Sequence, residues 1–275
     1  MTPQTGTLPR PQHRLGYSTL GEGPPVLLVM GLAMTGDAWH PQIRDLARDH
    51  QVCWFDNKGV GRSQAPAGRY RPQDMAADGW ALADHLGWDS LHLVGVSMGG
   101  MISQQMAIQR PNAIRSLSLI ASAANGRRAR PTPAGVKHWV AVQTARDLRS
   151  RQESMARLLF SERTLRERPE GVLDGEMAKG LAKSRASGSA LASQLHAVFS
   201  HDLRGRLPEL AHLPSQCIVG TEDVLVSPQN SRELAALLQA ELLEIPEAGH
   251  GVSAEAAQRV NQALRALVAR VEATR

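Results

Sequence analysis

Cysteine is scarce in this chain. Among its 275 residues there are only two, Cys53 and Cys217, and each lies inside a short apolar run. Two cysteines are too few for the disulfide framework of small secreted domains, and a buried cysteine commonly packs as a small hydrophobe. No Cys/His spacing matches a zinc site. We therefore expect two free thiols, no bound metal and no organic cofactor.

Long hydrophobic runs are also missing. None approaches the roughly 18 apolar residues that are needed to span a bilayer. Residues 1–14 (MTPQTGTLPRPQHR) are polar and rich in proline, and they lack the apolar centre of a signal peptide. We expect a soluble, cytoplasmic protein, a monomer or a homodimer, that has no membrane partner.

Aromatic residues make up only 4% of the chain, whereas basic residues give it a net charge of +5. Such a charge can indicate an anionic partner. The basic residues are nearly all arginine and are scattered along the chain, however, which is typical of a GC-rich bacterial genome. No basic segment is interleaved with aromatic residues, so we expect no nucleic-acid partner.

Short apolar runs, bounded by turn residues, alternate with segments of helical periodicity. This alternation is typical of βα units around a parallel sheet. The predicted strands are residues 26–30, 52–55, 91–94, 117–120, 217–219 and 242–245. The predicted helices are residues 41–49, 73–86, 99–110, 231–239 and 254–270.

Residues 125–199 differ from the rest of the chain. They contain no convincing strand, their apolar residues recur at helical spacing, and they open with a stretch rich in proline and arginine (GRRARPTP). We interpret them as a helical lid that is inserted after the sixth strand, over the carboxyl edge of the sheet. Residues 1–124 and 200–275 then form the core domain.

Residues 95–99 (GVSMG) join a predicted strand directly to a predicted helix and fit the pattern G-x-S-x-G. In this context the pattern is typical of a nucleophile elbow, in which a strained turn holds the serine hydroxyl clear of the sheet. The helix that follows offers free N–H groups to a developing oxyanion. The alternative is a glycine-rich turn in which Ser97 only caps the helix.

Three further blocks accompany this pentapeptide: residues 56–63 (DNKGVGRS), 220–223 (GTED) and 248–250 (AGH). With the four blocks in this order, the chain resembles the α/β-hydrolase fold superfamily over nearly its full length. The resemblance implies an α/β fold with a mostly parallel, eight-stranded sheet that is flanked by helices. It also implies a catalytic triad in the order serine, acid, histidine.

The resemblance places this triad at Ser97, Asp223 and His250. A serine needs an imidazole to take its proton, and the imidazole needs a carboxylate to fix its tautomer. Of the ten histidines, His250 is the one that follows an apolar strand and a glycine turn. Asp223, rather than its neighbour Glu222, matches the family's acid, and the alternative position after the sixth strand holds no carboxylate. Asp56 is expected to hold a turn.

The family's pattern also implies an oxyanion hole formed by the backbone N–H groups of Leu32 and Met98. The chain departs from the family at Met30-Gly31, where a His-Gly pair is usual. Backbone donors do not depend on that side chain, but the departure puts in doubt the hydrogen bonds that brace the loop.

The candidate pocket residues are mainly apolar and favour a substrate with an apolar acyl or alkyl group. Packing is the alternative role for each: Trp39 could lie under a helix, and the lid residues could attach the lid to the core. The candidates are Trp39, Trp139, Leu159, Phe199 and Val224.

These residues predict a serine hydrolase that cleaves a carboxylic ester, a lactone or a thioester through an acyl-enzyme on Ser97. A cofactor-free perhydrolase or haloperoxidase, or a C–C bond hydrolase, would use the same triad. A non-catalytic small-molecule receptor on this fold is an alternative of another class. Haloalkane dehalogenases and epoxide hydrolases are disfavoured because they carry an aspartate at the nucleophile position.

Overall fold

An eight-stranded sheet forms the centre of the protein, with the strand order β1-β2-β4-β3-β5-β6-β7-β8. The computed structural model describes residues 2–66, 68–167 and 186–274. β2 pairs antiparallel with both of its neighbours, and all later pairs are parallel. The strands are β1 (Gln4–Arg10), β2 (His13–Leu20), β3 (Pro25–Val29), β4 (Gln51–Phe55), β5 (Leu91–Val96), β6 (Ile114–Ile120), β7 (Ser215–Gly220) and β8 (Glu241–Ile245).

Each predicted strand overlaps an observed strand, and their bounds differ by at most three residues. Helices cover both faces of the sheet. The helices among the described residues are α1 (His40–Leu46), α2 (Pro72–His85), α3 (Met98–Gln109), α4 (Pro133–Thr144), α5 (Leu148–Leu159), α6 (Glu162–Glu167), α7 (Gly188–Ser200), α8 (Pro228–Leu238), α9 (Val252–Glu255) and α10 (Ala257–Glu272). Short 3₁₀ turns span Gly36–Trp39, Pro111–Ala113 and Leu207–Leu210.

The central strands are mainly apolar because each of their faces is buried. In β3, Leu27 and Val29 pack on the side of α2 and α3, whereas Val26 and Leu28 pack on the side of α1 and α10. Side chains alternate between the faces of a strand, so a strand with a helical layer on each side reads as a continuous apolar run. This is the signal that predicts these strands from sequence.

The hairpin of β1 and β2 carries no such signal. β1 is the edge strand, its residues are alternately exposed and half-buried, and Pro9 pairs with Arg14. Proline is tolerated at an edge because one side of the strand makes no ladder bonds. The polar, proline-containing N-terminal segment therefore folds as a strand, although its composition predicts none.

The segment between β6 and β7 contains helices α4 to α7 in its described part, and residues 168–185 of the predicted lid lie outside the described residues. We call residues 125–199 the insertion. Its two ends meet, because Asn125 forms an isolated β-bridge with Asp202 and the Gly126 N–H donates to the His201 carbonyl at 3.0 Å. The insertion thus leaves and rejoins the sheet at one place.

The C-terminal helix differs from its prediction of residues 254–270. It is broken at Ala256, where φ is −120° and ψ is 41°, so that α9 and α10 are separate. α10 packs Val260 and Leu264 against the sheet. The break lets α9 turn back toward the loop that follows β8.

Both cysteines are free and buried, as predicted. Burial raises the pKa of the Cys217 thiol to about 12 and that of Cys53 still further, so both stay protonated. No helix of the described residues is long and apolar enough to cross a membrane.

Candidate active site

Ser97 sits in the turn between β5 and α3, with φ at +55° and ψ at −122°. Residues with a side chain rarely adopt this backbone conformation, and such strain is concentrated at functional sites. The flanking glycines make the turn possible. A Cβ atom on Gly99 would overlap the Val29 carbonyl, and one on Gly95 would overlap the Gly99 carbonyl. The pentapeptide therefore forms the elbow that the sequence predicts.

Asp223 and His250 form a buried pair at the ends of β7 and β8. His250 Nδ1 lies 2.7 Å from Asp223 Oδ2. The other carboxylate oxygen accepts the N–H groups of Leu225 and Val226, each at 2.8 Å. The aspartate is thus fixed in orientation, and its bond to Nδ1 leaves the Nε2 atom of His250 available as a proton acceptor.

The parallel strands bring Ser97 to the same edge of the sheet as this pair. Ser97 follows β5, Asp223 follows β7 and His250 follows β8, and the carboxyl ends of parallel strands lie together. Within the described part of the chain, no hydrogen bond joins the Ser97 hydroxyl to His250. Catalytic hydrogen bonds are often long in a site without substrate and tighten when it binds.

The loop after β3, which carries Leu32, lies beside the serine. A Cβ atom on Gly31 would be 3.2 Å from Ser97 Cβ and 3.8 Å from Ser97 Oγ. Met98 is the first residue of α3, where helix N–H groups lack an intrahelical partner. Both predicted oxyanion donors therefore belong to segments that adjoin Ser97, and both are backbone groups.

Two side chains brace this loop through hydrogen bonds to its backbone. Asn57 Nδ2 donates to the Met30 carbonyl at 2.7 Å. Gln194, which is fully buried on α7, accepts the Ala33 N–H at 2.8 Å and donates to the Lys58 carbonyl at 3.0 Å. Asn57 lies in one of the sequence blocks, but Gln194 has no sequence signal, because its partners are far away along the chain.

Asp56 holds a turn, as predicted. Its Oδ1 atom accepts the Gly36 N–H at 2.8 Å, and its Oδ2 atom accepts the backbone N–H of Arg62 at 2.9 Å and the Arg62 Nε–H at 3.1 Å. The carboxylate thus joins the 3₁₀ turn after β3 to the loop after β4. It therefore helps to fix the segment that follows the Leu32 loop.

The predicted pocket residues divide into two groups. Trp39 is fully buried in the core with Ile43 and Leu46, which favours its packing role, and Phe199 is 53% exposed rather than enclosed. Trp139 is half-buried on α4. Leu159 and Val224 do adjoin the site.

Leu159 and Val224 connect the insertion, through their backbones, to the loops that carry His250 and Asp223. The Leu159 carbonyl accepts the Gly251 N–H at 2.7 Å, next to His250. The Val224 carbonyl, next to Asp223, accepts the Thr132 N–H at 2.8 Å. The insertion is therefore hydrogen-bonded to the loops that carry the histidine and the acid.

Other buried histidines lie away from this edge. His92 is in β5 and binds Ser116 and Glu272, and His201 binds Gln104 at the base of the insertion. Among the described residues, no group of three or more His, Cys, Asp or Glu side chains is placed to hold a metal ion.

Comparison with known proteins identifies the family. The model of the alpha/beta hydrolase fold matches residues 24–257. The chain belongs to the alpha/beta hydrolase fold family. It is similar to a Mycobacterium tuberculosis protein named as a non-heme bromoperoxidase, BpoC, with 31% identity over 94% of this chain and 99% of that protein.

Two further α/β hydrolases show the range of names in this family. 3-Oxoadipate enol-lactonase 2 of Acinetobacter baylyi is 28% identical, over 96% of each chain. The structure of a thermophilic esterase from Thermogutta terrifontis matches with a TM-score of 0.80 at 27% identity, covering 98% of this chain and 99% of the esterase. The relatives support an α/β hydrolase, and their names differ in the reaction that each one states.

Proposed function

We propose that the protein is a serine hydrolase of carboxylic esters, including lactones and thioesters, with Ser97 as nucleophile, His250 as general base and Asp223 as the orienting acid. The observation that carries this proposal is the buried Asp223–His250 pair, at 2.7 Å, on the sheet edge that also presents the strained Ser97 turn. A nucleophile, a base and a group that orients the base are the minimum for acyl transfer through a serine.

The reaction has two halves. The Ser97 oxygen attacks the carbonyl carbon of the substrate while His250 Nε2 takes the hydroxyl proton, and the negative oxygen that forms accepts the N–H groups of Met98 and Leu32. The tetrahedral intermediate then expels the alcohol or thiol, which takes the proton from His250. A water molecule, deprotonated by His250, attacks the acyl-enzyme. The second tetrahedral intermediate then collapses, and the Ser97 oxygen leaves and takes the proton back from His250, which releases the acid.

The insertion acts as the lid in this proposal, over a core domain of residues 1–124 and 200–275. A small apolar cluster lies between the lid and the core: Leu159 and Phe160 pack against Met34 from the loop after β3 and Leu225 from the loop after β7. These side chains surround the loops that carry the oxyanion donor and the acid. They favour a small-molecule substrate whose acyl or alkyl group is apolar.

The enol-lactonase and esterase names among the relatives agree with this chemistry. The similarity to BpoC supports a second candidate, in which hydrogen peroxide replaces water in the second half of the reaction. The acyl-enzyme would then release a peracid. Both candidates need the same acyl-enzyme on Ser97 and differ only in the acceptor.

Assays of the purified protein on aryl esters, lactones and thioesters test the proposal. We expect hydrolysis of at least one short-chain aryl ester, and its loss in Ser97→Ala with folding retained. The matched control is Ser90→Ala. Ser90 precedes β5 at the end opposite to Ser97, and among the described residues its hydroxyl accepts a hydrogen bond from Arg115 alone. Activity that survives in Ser97→Ala would contradict the proposal. Peracid formed when peroxide is added would favour the second candidate.

A further inference from the structure

The residues on both sides of His250 are hydrogen-bonded through their backbone N–H groups. The Gly249 N–H donates to Glu255 Oε2 at 2.6 Å, and the Gly251 N–H donates to the Leu159 carbonyl at 2.7 Å. The first acceptor is a carboxylate on α9, and charge-assisted bonds of this kind are stronger than neutral ones. The backbone of the histidine is thus fixed from two sides.

The second oxygen of Glu255 binds the insertion. Its Oε1 atom accepts the Ser161 backbone N–H at 3.1 Å and also the Ser161 hydroxyl. Ser161 is 3% exposed, and its Oγ atom in turn accepts the Thr164 N–H of α6 at 3.2 Å. One carboxylate therefore joins the histidine loop to the corner between α5 and α6.

The two segments fit together without space for a side chain. A Cβ atom on Gly249 would be 2.6 Å from the Leu159 carbonyl oxygen, and one on Gly251 would be 3.0 Å from the Phe160 ring. The loop of residues 249–251 thus rests directly on the backbone of the α5–α6 corner. If the corner moved, the backbone of His250 would have to move with it.

We propose that Glu255 is a positioning residue: it sets the position of the His250 imidazole relative to Ser97 and couples that position to the α5–α6 corner of the insertion. This inference rests on the proposed function, because it assumes that His250 activates Ser97. Loss of the carboxylate leaves the Gly249 N–H and the Ser161 polar groups without their partner. A shift of about 1 Å in a catalytic group can cost about 100-fold in rate.

The test measures the activation of Ser97 directly, with a fluorophosphonate that reacts with the serine and needs no knowledge of the natural substrate. The variants are Glu255→Gln, which has one acceptor oxygen instead of two, and Ser161→Ala, which keeps the Gly249 bond. The matched control is Glu209→Gln, because Glu209 is exposed and, within the described ranges, its carboxylate pairs with Arg206 alone.

For Glu255→Gln we expect the rate constant of fluorophosphonate labelling to fall about tenfold or more. In the aryl ester assay, kcat per labelled site should fall by a similar factor, while KM changes by less than about threefold. Ser161→Ala should show a smaller fall of about two- to fivefold, and the double variant should be no slower than Glu255→Gln alone, since Ser161 acts through Glu255. Glu209→Gln should equal the wild type. A role in folding alone would lower the number of labelled sites but not the rate per site.

A Glu255→Gln rate within about twofold of the wild type would overturn the positioning role. If that variant does not fold, Ser161→Ala decides: a wild-type rate there would overturn the coupling to the insertion. A wild-type protein that is not labelled at all would overturn the proposed function itself, and the positioning role with it.

Discussion

The backbone conformation of Ser97 requires small residues on both sides of it. The φ of +55° at Ser97 is tolerated because Gly95 and Gly99 carry no side chain. The start of α3 can therefore lie against the end of β5 and against the Val29 carbonyl of β3. The three members of the predicted triad are recognisable in the sequence for this reason: each lies in a short glycine-containing block that follows an apolar strand.

Gly99→Ala tests the steric requirement of the elbow. The added methyl group would overlap the carbonyls of Val29 and Met30, so the strand or the helix would have to move. We expect a loss of about 1–3 kcal/mol in the free energy of unfolding, together with loss of esterase activity. Urea unfolding and the aryl ester assay measure these effects.

The matched control for this change is Gly205→Ala, because a Cβ atom on Gly205 meets nothing within 4 Å. It should keep wild-type stability and activity. Wild-type activity in Gly99→Ala would show that the elbow is looser than its close contacts indicate.

Substitution of Gln194 tests whether its hydrogen bonds fix the loop after β3, which carries the predicted oxyanion donor Leu32. Gln194→Leu keeps the volume of the side chain but leaves the Ala33 N–H without its acceptor. The Lys58 carbonyl loses one of its two side-chain donors and keeps the Tyr70 hydroxyl at 3.1 Å. We expect a loss of about 1–3 kcal/mol in stability and a fall in kcat of about tenfold, because one oxyanion donor is misplaced. Steady-state kinetics and thermal unfolding measure both quantities.

Gln258→Leu is the control for that variant, since Gln258 is exposed on α10. The expected result is kinetics equal to the wild type. If Gln194→Leu loses stability but keeps kcat, Gln194 attaches the insertion to the core without shaping the oxyanion hole.

At the scale of secondary-structure elements, the sequence predicts the buried parallel strands well and the edges poorly. β3 is apolar and β5 is apolar except for His92 because both faces of each strand are covered, whereas the β1–β2 hairpin lies at the open edge and lacks this signature. The break at Ala256 was also not predicted, because helical periodicity continues across it. Tertiary contacts decide such features, and local sequence does not contain them.

The same reason explains which site residues the sequence does not reveal. Ser161 and Glu255 are 94 positions apart, and Ala33 and Gln194 are 161 positions apart. A glutamate near the end of the chain and a glutamine within a helix read as ordinary surface residues until the fold joins them to the catalytic loops. The insertion makes both of these contacts, through Gln194 and Ser161.

At the scale of the whole molecule, two buried histidines make stability depend on pH. Burial, the main cause in each case, lowers the pKa of His92 and of His201 to about 4. Gln104 Nε2 donates to the Ala123 carbonyl, so its Oε1 atom accepts from His201 Nε2. Among the described residues Nδ1 of His201 has no partner, and a proton there would have no acceptor.

In the unfolded chain these histidines take up protons near their ordinary pKa of about 6.5, whereas in the folded protein they do so only near 4. Between these values the unfolded state binds more protons, so stability falls as the pH falls. We expect each histidine to lower the free energy of unfolding by about 2 kcal/mol from about pH 7 to about pH 5. Urea unfolding at several pH values measures this loss.

His201→Gln should reduce that loss, while His212→Gln, which changes an exposed histidine, should leave it unchanged. The same pH dependence in His201→Gln and the wild type would show that His201 is accessible to protons in the folded protein.

The central claim is that Ser97 is a nucleophile activated by His250, and mass spectrometry after fluorophosphonate treatment tests it most directly. We predict one adduct per chain, on the peptide that contains Ser97. The adduct should be absent in Ser97→Ala. In His250→Asn it should form at least about 100-fold more slowly than in the wild type, because the base is lost. An adduct on another residue, or equally fast labelling in His250→Asn, would contradict the claim.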